Sequence, residues 1–213
     1  MLIELLLSLP KTIFFNLKYF KLRGLKFPFL IHYKTKFGRL DGKISIPSDA
    51  KFGEIKIGFS RSFALGGSQY LENRGNLIFN GKATFSRGTQ IVVNENATLE
   101  FGKKFSCNAN CIFNSGRKIV FGDDCMLAWG VTVLDGDGHI IYELMSNERC
   151  NFDKEIEIGN HVWICPETSI LKGAKIQDNT VVATKSVVTK KIKETNVLVG
   201  NNVVLKRKIN WKH

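Results

Sequence analysis

The chain has 213 residues, 44% hydrophobic and 23% charged, with 31 Lys and Arg against 19 Asp and Glu and a formal net charge of +12. That size suits one domain with a sizeable core, and no apolar run approaches the roughly 18 residues a membrane-spanning helix needs. Five cysteines without paired spacing argue against a secreted disulfide scaffold, and the apolar residues 2–9 lack the flanks of a signal peptide, so a cytoplasmic chain is expected.

The positive charge is not spread evenly. Residues 1–60 hold eleven basic and four acidic side chains, residues 185–213 hold eight and one, and the stretch between holds twelve and fourteen. A near-neutral body between two basic ends fits two separate anionic contacts, not one continuous nucleic-acid groove. No nucleic-acid partner is expected.

At the N-terminus, Leu2, Leu6, Leu9, Ile13, Leu17 and Phe20 follow helical spacing, with Pro10 interrupting and Gly24 as a stop. The pattern predicts a first turn or two, then a helix over 10–22, inside an entry segment running to residue 56. Lys11, Lys18, Lys21, Arg23 and Lys26 accompany the apolar stripe. Such a segment can cap the open end of a repeat or lie peripherally on an anionic membrane face.

The body is a repeat. Ile158, Ile164, Ile170, Ile176, Val182 and Val188 recur every sixth position, and four places after each stand Val162, Thr168, Ala174, Thr180, Ser186 and Ile192. Period six fits neither a helix nor one long strand. It fits a chain that turns a corner every six residues, so that three short strands make one triangular coil and coils stack as parallel sheets. Upstream triplets are Phe121, Leu127, Val133; Phe101, Cys107, Phe113; and Phe79, Phe85, Ile91. Coil starts fall at Ile57, Phe79, Phe101, Phe121, Ile158 and Ile176, giving about six coils over 57–195 and a basic extension over 196–213. Phenylalanines at inward phases read as core, as do Cys107, Cys111 and Cys125; Cys150 falls in a loop.

One step between coil starts, from Phe121 to Ile158, is much longer than the others, and an expelled loop in an economical solenoid is a place to seek chemistry. The loop, 135–156, opens with Asp135, Gly136, Asp137, Gly138 and His139. The glycines let the chain carry His139 outward. An aspartate accepting from one ring nitrogen would fix the tautomer and free the other as a general base; the alternative is an exposed polar turn. His161 is in coil register and reads as structural or interfacial, and His32 and His213 lie in terminal segments. The sequence holds no P-loop, dinucleotide fingerprint, CxxC pair or nucleophile elbow, and its four histidines offer no zinc set, so no metal is expected.

With Gly-Asn-His-Val-Trp-Ile at 159–164, Ile-Leu-Lys-Gly-Ala at 170–174 and Ser-Val-Val-Thr-Lys at 186–190, the chain resembles the hexapeptide-repeat acyltransferases. The Asp-x-Asp-x-His opening and the Leu-Pro-Lys-Thr-Ile-Phe-Phe-Asn beginning at 9–16 resemble the O-acetyltransferases of bacterial capsule and lipopolysaccharide synthesis. The resemblance implies an all-β, left-handed parallel β-helix with an N-terminal helix, working as a homotrimer with active sites between subunits. It implies transfer of acetyl from acetyl-CoA to a sugar hydroxyl, directly and without a metal, with His139 as base and Asp135 and Asp137 in support.

The same resemblance carries Asn108, with Asn110 close enough to compete, to acceptor contact, and Trp163 to the acyl-donor channel. The final coils, with Lys185, Lys190, Lys191 and Lys206, would meet the CoA phosphates. The sequence departs from the family where Cys165 and the pair Ala183-Thr184 replace a glycine and Gly-Ala along the pantetheine path, and where Gly-Asn-Asn-Val at 200–203 lacks the usual proline. Donor geometry is the property those changes touch. N-acylation of a nucleotide-linked amino sugar, O-acetylation of an antibiotic, and a non-catalytic solenoid remain the alternative readings.

Overall fold

A computed structural model describes residues 2–60 and 67–212; His213 lies outside them. Short strands form three parallel sheets of nine, seven and six strands. Sheet membership rotates strand by strand, so Phe29–Ile31, Lys36–Phe37 and Lys43–Ser45 make the first triangular turn, and Trp163–Ile164, Ser169–Leu171 and Lys175–Ile176 the sixth. Val181–Val182 and Val187–Val188 begin a seventh. Val197–Gly200 extends the first sheet, and Val203–Arg207 folds back on it antiparallel.

The core follows the columns read from the period. Phe79, Phe101, Phe121, Ile158 and Ile176 pair in series in the third sheet. Phe85, Cys107, Leu127, Ile164, Val182 and Val199 do so in the first, and Leu71, Ile91, Phe113, Val133, Ile170 and Val188 in the second. All are buried. Stacking of identical phases lets rings lie on rings: Phe101 sits 5.5 Å from Phe79 and 5.4 Å from Phe121, nearly parallel to both.

The corners have a feature the hexad did not spell out. His161, Glu167, Gly173, Asn179 and Lys185, six residues apart, all have positive φ, from 53° to 84°. One left-handed residue per corner turns the chain, and the small buried residue that follows each of them (Val162, Thr168, Ala174, Thr180, Ser186) fills the inside of the bend.

Two expectations differ from the structure. Ile57 does not start the Phe79 column: it pairs with Phe85 in another sheet, and the coils begin earlier, at Phe29, and reach Gly200. The first turn was hidden because the links between its strands are irregular in length and break the period of six. The second difference is the N-terminal helix, which runs unbroken through Leu2–Phe20, with a 3₁₀ turn over Lys21–Lys26. Pro10 does not break it, because tertiary bonds hold the helix on the far side of the proline. Thr12 Oγ1 accepts from Ile31 N at 3.0 Å, and Asn16 accepts from Phe29 N at 3.1 Å while donating to Phe29 O at 2.8 Å. Ser8 Oγ accepts from Tyr33 N at 3.0 Å. Those groups belong to the outermost strand and the turn that follows it, so the helix satisfies an edge that would otherwise be open. Gly24 packs on the helix so closely that a Cβ there would lie 2.3 Å from the Asn16 carbonyl oxygen.

Candidate active site

The loop that carries His139 leaves the fifth coil after Thr132–Leu134 and returns at Ile156–Ile158, crossing from the second sheet to the third. Its root is Asp135, which is fully buried. The carboxylate accepts from Gly116 N at 2.5 Å, Arg117 N at 3.0 Å and Ser115 Oγ at 3.0 Å. Three donors from the coil below balance a buried charge and fix where the loop departs.

Asp137 is the second fastening. It accepts from Asn151 Nδ2 at 2.9 Å and bonds the Lys172 ammonium of the next coil. The Lys172 bond, then the Asn151 bond, holds its carboxyl below the usual carboxylate range. Asn151, buried in the loop, also donates to His139 O at 2.6 Å and accepts from Ile141 N at 2.7 Å. Gly138 has φ 77° with open space where a Cβ would be, so glycine serves there for its backbone freedom alone.

The expectation that Asp135 or Asp137 would grip the His139 ring is corrected by these bonds. Both carboxylates are spent on the backbone and on Lys172, and among the described residues no side chain bonds the exposed His139 imidazole. The aspartates shape the loop; they do not orient the ring.

His139 lines a cleft of about 330 Å³ with Asn94, Asn114, Arg149 and Asp153. Arg149 lies over the Phe152 ring at 5.0 Å and reaches Asn151 O at 3.3 Å and Asp153 at 3.5 Å, while its buried Nε has no partner among the described residues. A second cleft, about 470 Å³, runs on the other side of the loop base, between Asn114, Leu134, Asp137, Leu171, Lys172 and Thr189. The sequence does not single out Asn94, Asn114 and Arg149. Asn114 is an outward residue of a strand and Asn94 directly follows one, so both are legible only once the register of the coils is known.

The other sequence-derived residues do not join His139 within one chain. Asn108 and Asn110 lie on the corner between the first and second sheets, with Asn110 Oδ1 accepting from Gly67 N at 2.8 Å. Cys165, Ala183, Thr184 and Lys185 occupy the same edge two and three coils on; Lys185 is ion-paired to Glu167 at 3.3 Å. Lys190 and Lys191 are exposed on the opposite edge, the one from which the His139 loop departs, and Lys206 is exposed on the final strand. Trp163 and Cys165 pack with Val181 under Trp211 of the C-terminal segment. Trp211 in turn stacks on His161, whose Nδ1 lies 2.7 Å from Asp124. His161 is thus structural, the anchor of the tail. Among the described residues no group of three or more His, Cys, Asp or Glu is placed to hold a metal ion.

No protein-family model matches the chain. Over 84% of its length it superposes on the polysialic acid O-acetyltransferase OatWY (TM-score 0.54, 24% identical, 91% of that chain). It matches the polySia-specific acetyltransferase NeuO over the same share (0.53, 22% identical, 72% of that chain). In sequence, 76 residues, 35% of the chain, are 33% identical to the polysialic acid O-acetyltransferase of Escherichia coli O1:K1 / APEC. A stretch of 37 residues, 17% of the chain, is 51% identical to that of Neisseria meningitidis.

The chain is similar to the hexapeptide-repeat acetyltransferases. It shares their left-handed parallel β-helix. The sequence matches span 25% and 17% of those two curated relatives, so the likeness to these acetyltransferases extends over the fold more widely than over the sequence.

Proposed function

We propose that the protein is an acetyl-CoA-dependent O-acetyltransferase that modifies a sugar hydroxyl of a bacterial surface polysaccharide. The observation that carries this reading is the His139 loop. The solenoid expels this segment between its fifth-coil strands, fastens it at Asp135, Asp137 and Asn151, and presents an exposed imidazole in the wall of a cleft.

In this mechanism the neutral His139 ring accepts the proton of the acceptor hydroxyl as the oxygen attacks the thioester carbon. The tetrahedral oxyanion collapses, the C–S bond breaks, and the imidazolium returns its proton to the departing CoA thiolate. A general base of this kind contributes about 10²–10⁴ in rate. No covalent intermediate on the enzyme is required. The relatives' names, polysialic acid O-acetyltransferases, support an acidic glycan as acceptor, and Arg149 in the His139 cleft is a fitting cation for it.

The distribution of site residues supports a homotrimer. Asn108, Asn110, Cys165, Ala183, Thr184 and Lys185 share one edge of the second sheet, and His139 leaves from the other. A three-fold, head-to-tail packing brings the first edge of one copy to the loop of the next and completes the site between subunits. The loop is built for such a contact: its tip exposes Leu144 at 96% and Met145 at 93%. CoA would then lie along that intersubunit edge, its phosphates toward Lys185, Lys190, Lys191 and Lys206, and its pantetheine arm near Trp163.

The test is acetyl transfer from acetyl-CoA to a panel of acceptors: polysialic acid, neutral glycans, nucleotide-linked amino sugars and antibiotics. CoA release with an acidic glycan, and an alkali-labile ester in the product, is the expected result. Amide formation on an amino sugar, or no transfer to any sugar, would overturn the reading.

A further inference from the structure

The N-terminal helix, Leu2–Phe20, turns a largely polar stripe inward and most of its aliphatic residues outward. The stripe it buries holds Phe15, which joins the core, and Ser8, Thr12 and Asn16, which are spent on the open edge of the first coil, while Leu2, Ile3, Leu6, Leu7, Ile13 and Phe14 are exposed by 40% to 72%. The 3₁₀ turn that follows adds Leu22 at 81% and Leu25 at 56%. A surface helix normally buries its apolar face and wets its polar one, and among the described residues this exposed apolar face is left uncovered.

Its direction is fixed by the hydrogen bonds. Backbone groups of Phe29, Ile31 and Tyr33 that face Asn16, Thr12 and Ser8 point away from the next coil, along the prism axis. The helix therefore lies beneath the first coil, and its opposite face looks out from the end of the prism. Copies packed side by side in a trimer meet along their flanks and would leave all three such faces on one end.

The charge around the face is of one sign. No acidic residue occurs between Glu4 and Asp41, and Glu4 is itself paired with Arg87. Lys18, Lys21, Arg23 and Lys26 are exposed beside the apolar residues. Two such ends pressed together would oppose basic residues to basic residues, which disfavours a second copy as occupant. An anionic lipid surface answers both features, taking the apolar side chains among its acyl chains and the cations among its headgroups.

We propose that the N-terminal end of the prism docks on the surface of an anionic phospholipid bilayer, with the helix lying in the interface plane. No helix among the described residues is long and apolar enough to cross a membrane, so the contact is peripheral. The His139 loop leaves the fifth coil, four strand spacings or on the order of 20 Å above the first, and the helix itself lies between that first coil and the lipid. The inference goes beyond the proposed reaction and does not need it.

Flotation of the full chain with vesicles tests it. The protein is expected to float with phosphatidylglycerol/phosphatidylcholine vesicles and to stay behind with phosphatidylcholine alone. The variant Ile3→Ser/Leu6→Ser/Leu22→Ser is expected to lose flotation, and Lys21→Gln/Arg23→Gln/Lys26→Gln to lose affinity on the order of a hundredfold. All six side chains are exposed, and circular dichroism melts of both variants check that they remain folded. Failure of the parent chain to bind anionic vesicles, or undiminished binding by both folded variants, would overturn the proposal. So would a parent chain that ignores vesicles but forms a larger assembly that the Ser variant dissociates, since the face would then belong to a second copy.

Discussion

Asn151 holds His139 by its main chain, Nδ2 donating to the His139 carbonyl at 2.6 Å while the same amide reaches Asp137. One side chain thus ties the start of the loop to its return. Asn151→Ala removes these bonds without touching the ring. The expected result is a fall in kcat on the order of 10²-fold, since small displacements of a reacting group carry such costs. KM should move far less and the melting temperature only by a few degrees. A collapse of the fold, or an unchanged kcat, would show that the loop is positioned by other means.

The aromatic stack predicts a large stability effect away from the loop. Phe101 is fully buried and meets the rings of Phe79, Phe85, Phe105, Phe113 and Phe121. Phe101→Ala should destabilise by about 3–5 kcal/mol, a drop of roughly 10 °C in melting temperature for a chain of this size. A shift of only a degree or two would mean that the coils collapse around the missing ring.

His32 gives the fold a pH dependence. It is buried, and Lys34 N donates to its Nδ1 at 3.3 Å, which leaves the proton of the neutral ring on Nε2. Burial first, and then the Arg87 charge, lowers its pKa from the ordinary 6.5. As pH falls the unfolded chain therefore takes up the proton before the folded one. The stabilisation is whole above about pH 6.5 and is lost as pH falls through the lower folded value. The slope of melting temperature between pH 7 and pH 5 should flatten in His32→Gln. Equal slopes would assign the acid sensitivity elsewhere.

Thiol chemistry separates the cysteines. Burial pushes the Cys107 and Cys165 thiols up and Cys125 to about 12, and Cys111 is buried with them; only Cys150 is exposed. One thiol should react promptly with a disulfide reagent in the native protein, and five after unfolding. More than one prompt thiol would mean that the coils open.

The sequence carried the coils from Phe79 to Val188 because inward positions repeat at a fixed period and each hydrophobic side chain has one place to go. It did not carry the first coil, where the links between strands vary in length and break the fixed period. Nor did it show that Ser8, Thr12 and Asn16 would join Phe15 on the buried face of the N-terminal helix, since their value lies in the unpaired edge they meet. His139 was legible because an expelled loop interrupts the period. Its cleft partners Asn94, Asn114 and Arg149 were not, because outward-facing residues carry no periodic signal, and the role expected of Asp135 required knowing that it is buried.

The most direct measurement is CoA release by His139→Ala and His139→Gln beside the parent chain, with acetyl-CoA and an acidic glycan as substrates. If His139 is the general base, both variants remain folded, their melting temperature stays within a few degrees of the parent, and turnover falls by about 10²–10⁴. Turnover within a few-fold of the parent in a folded variant would contradict the account.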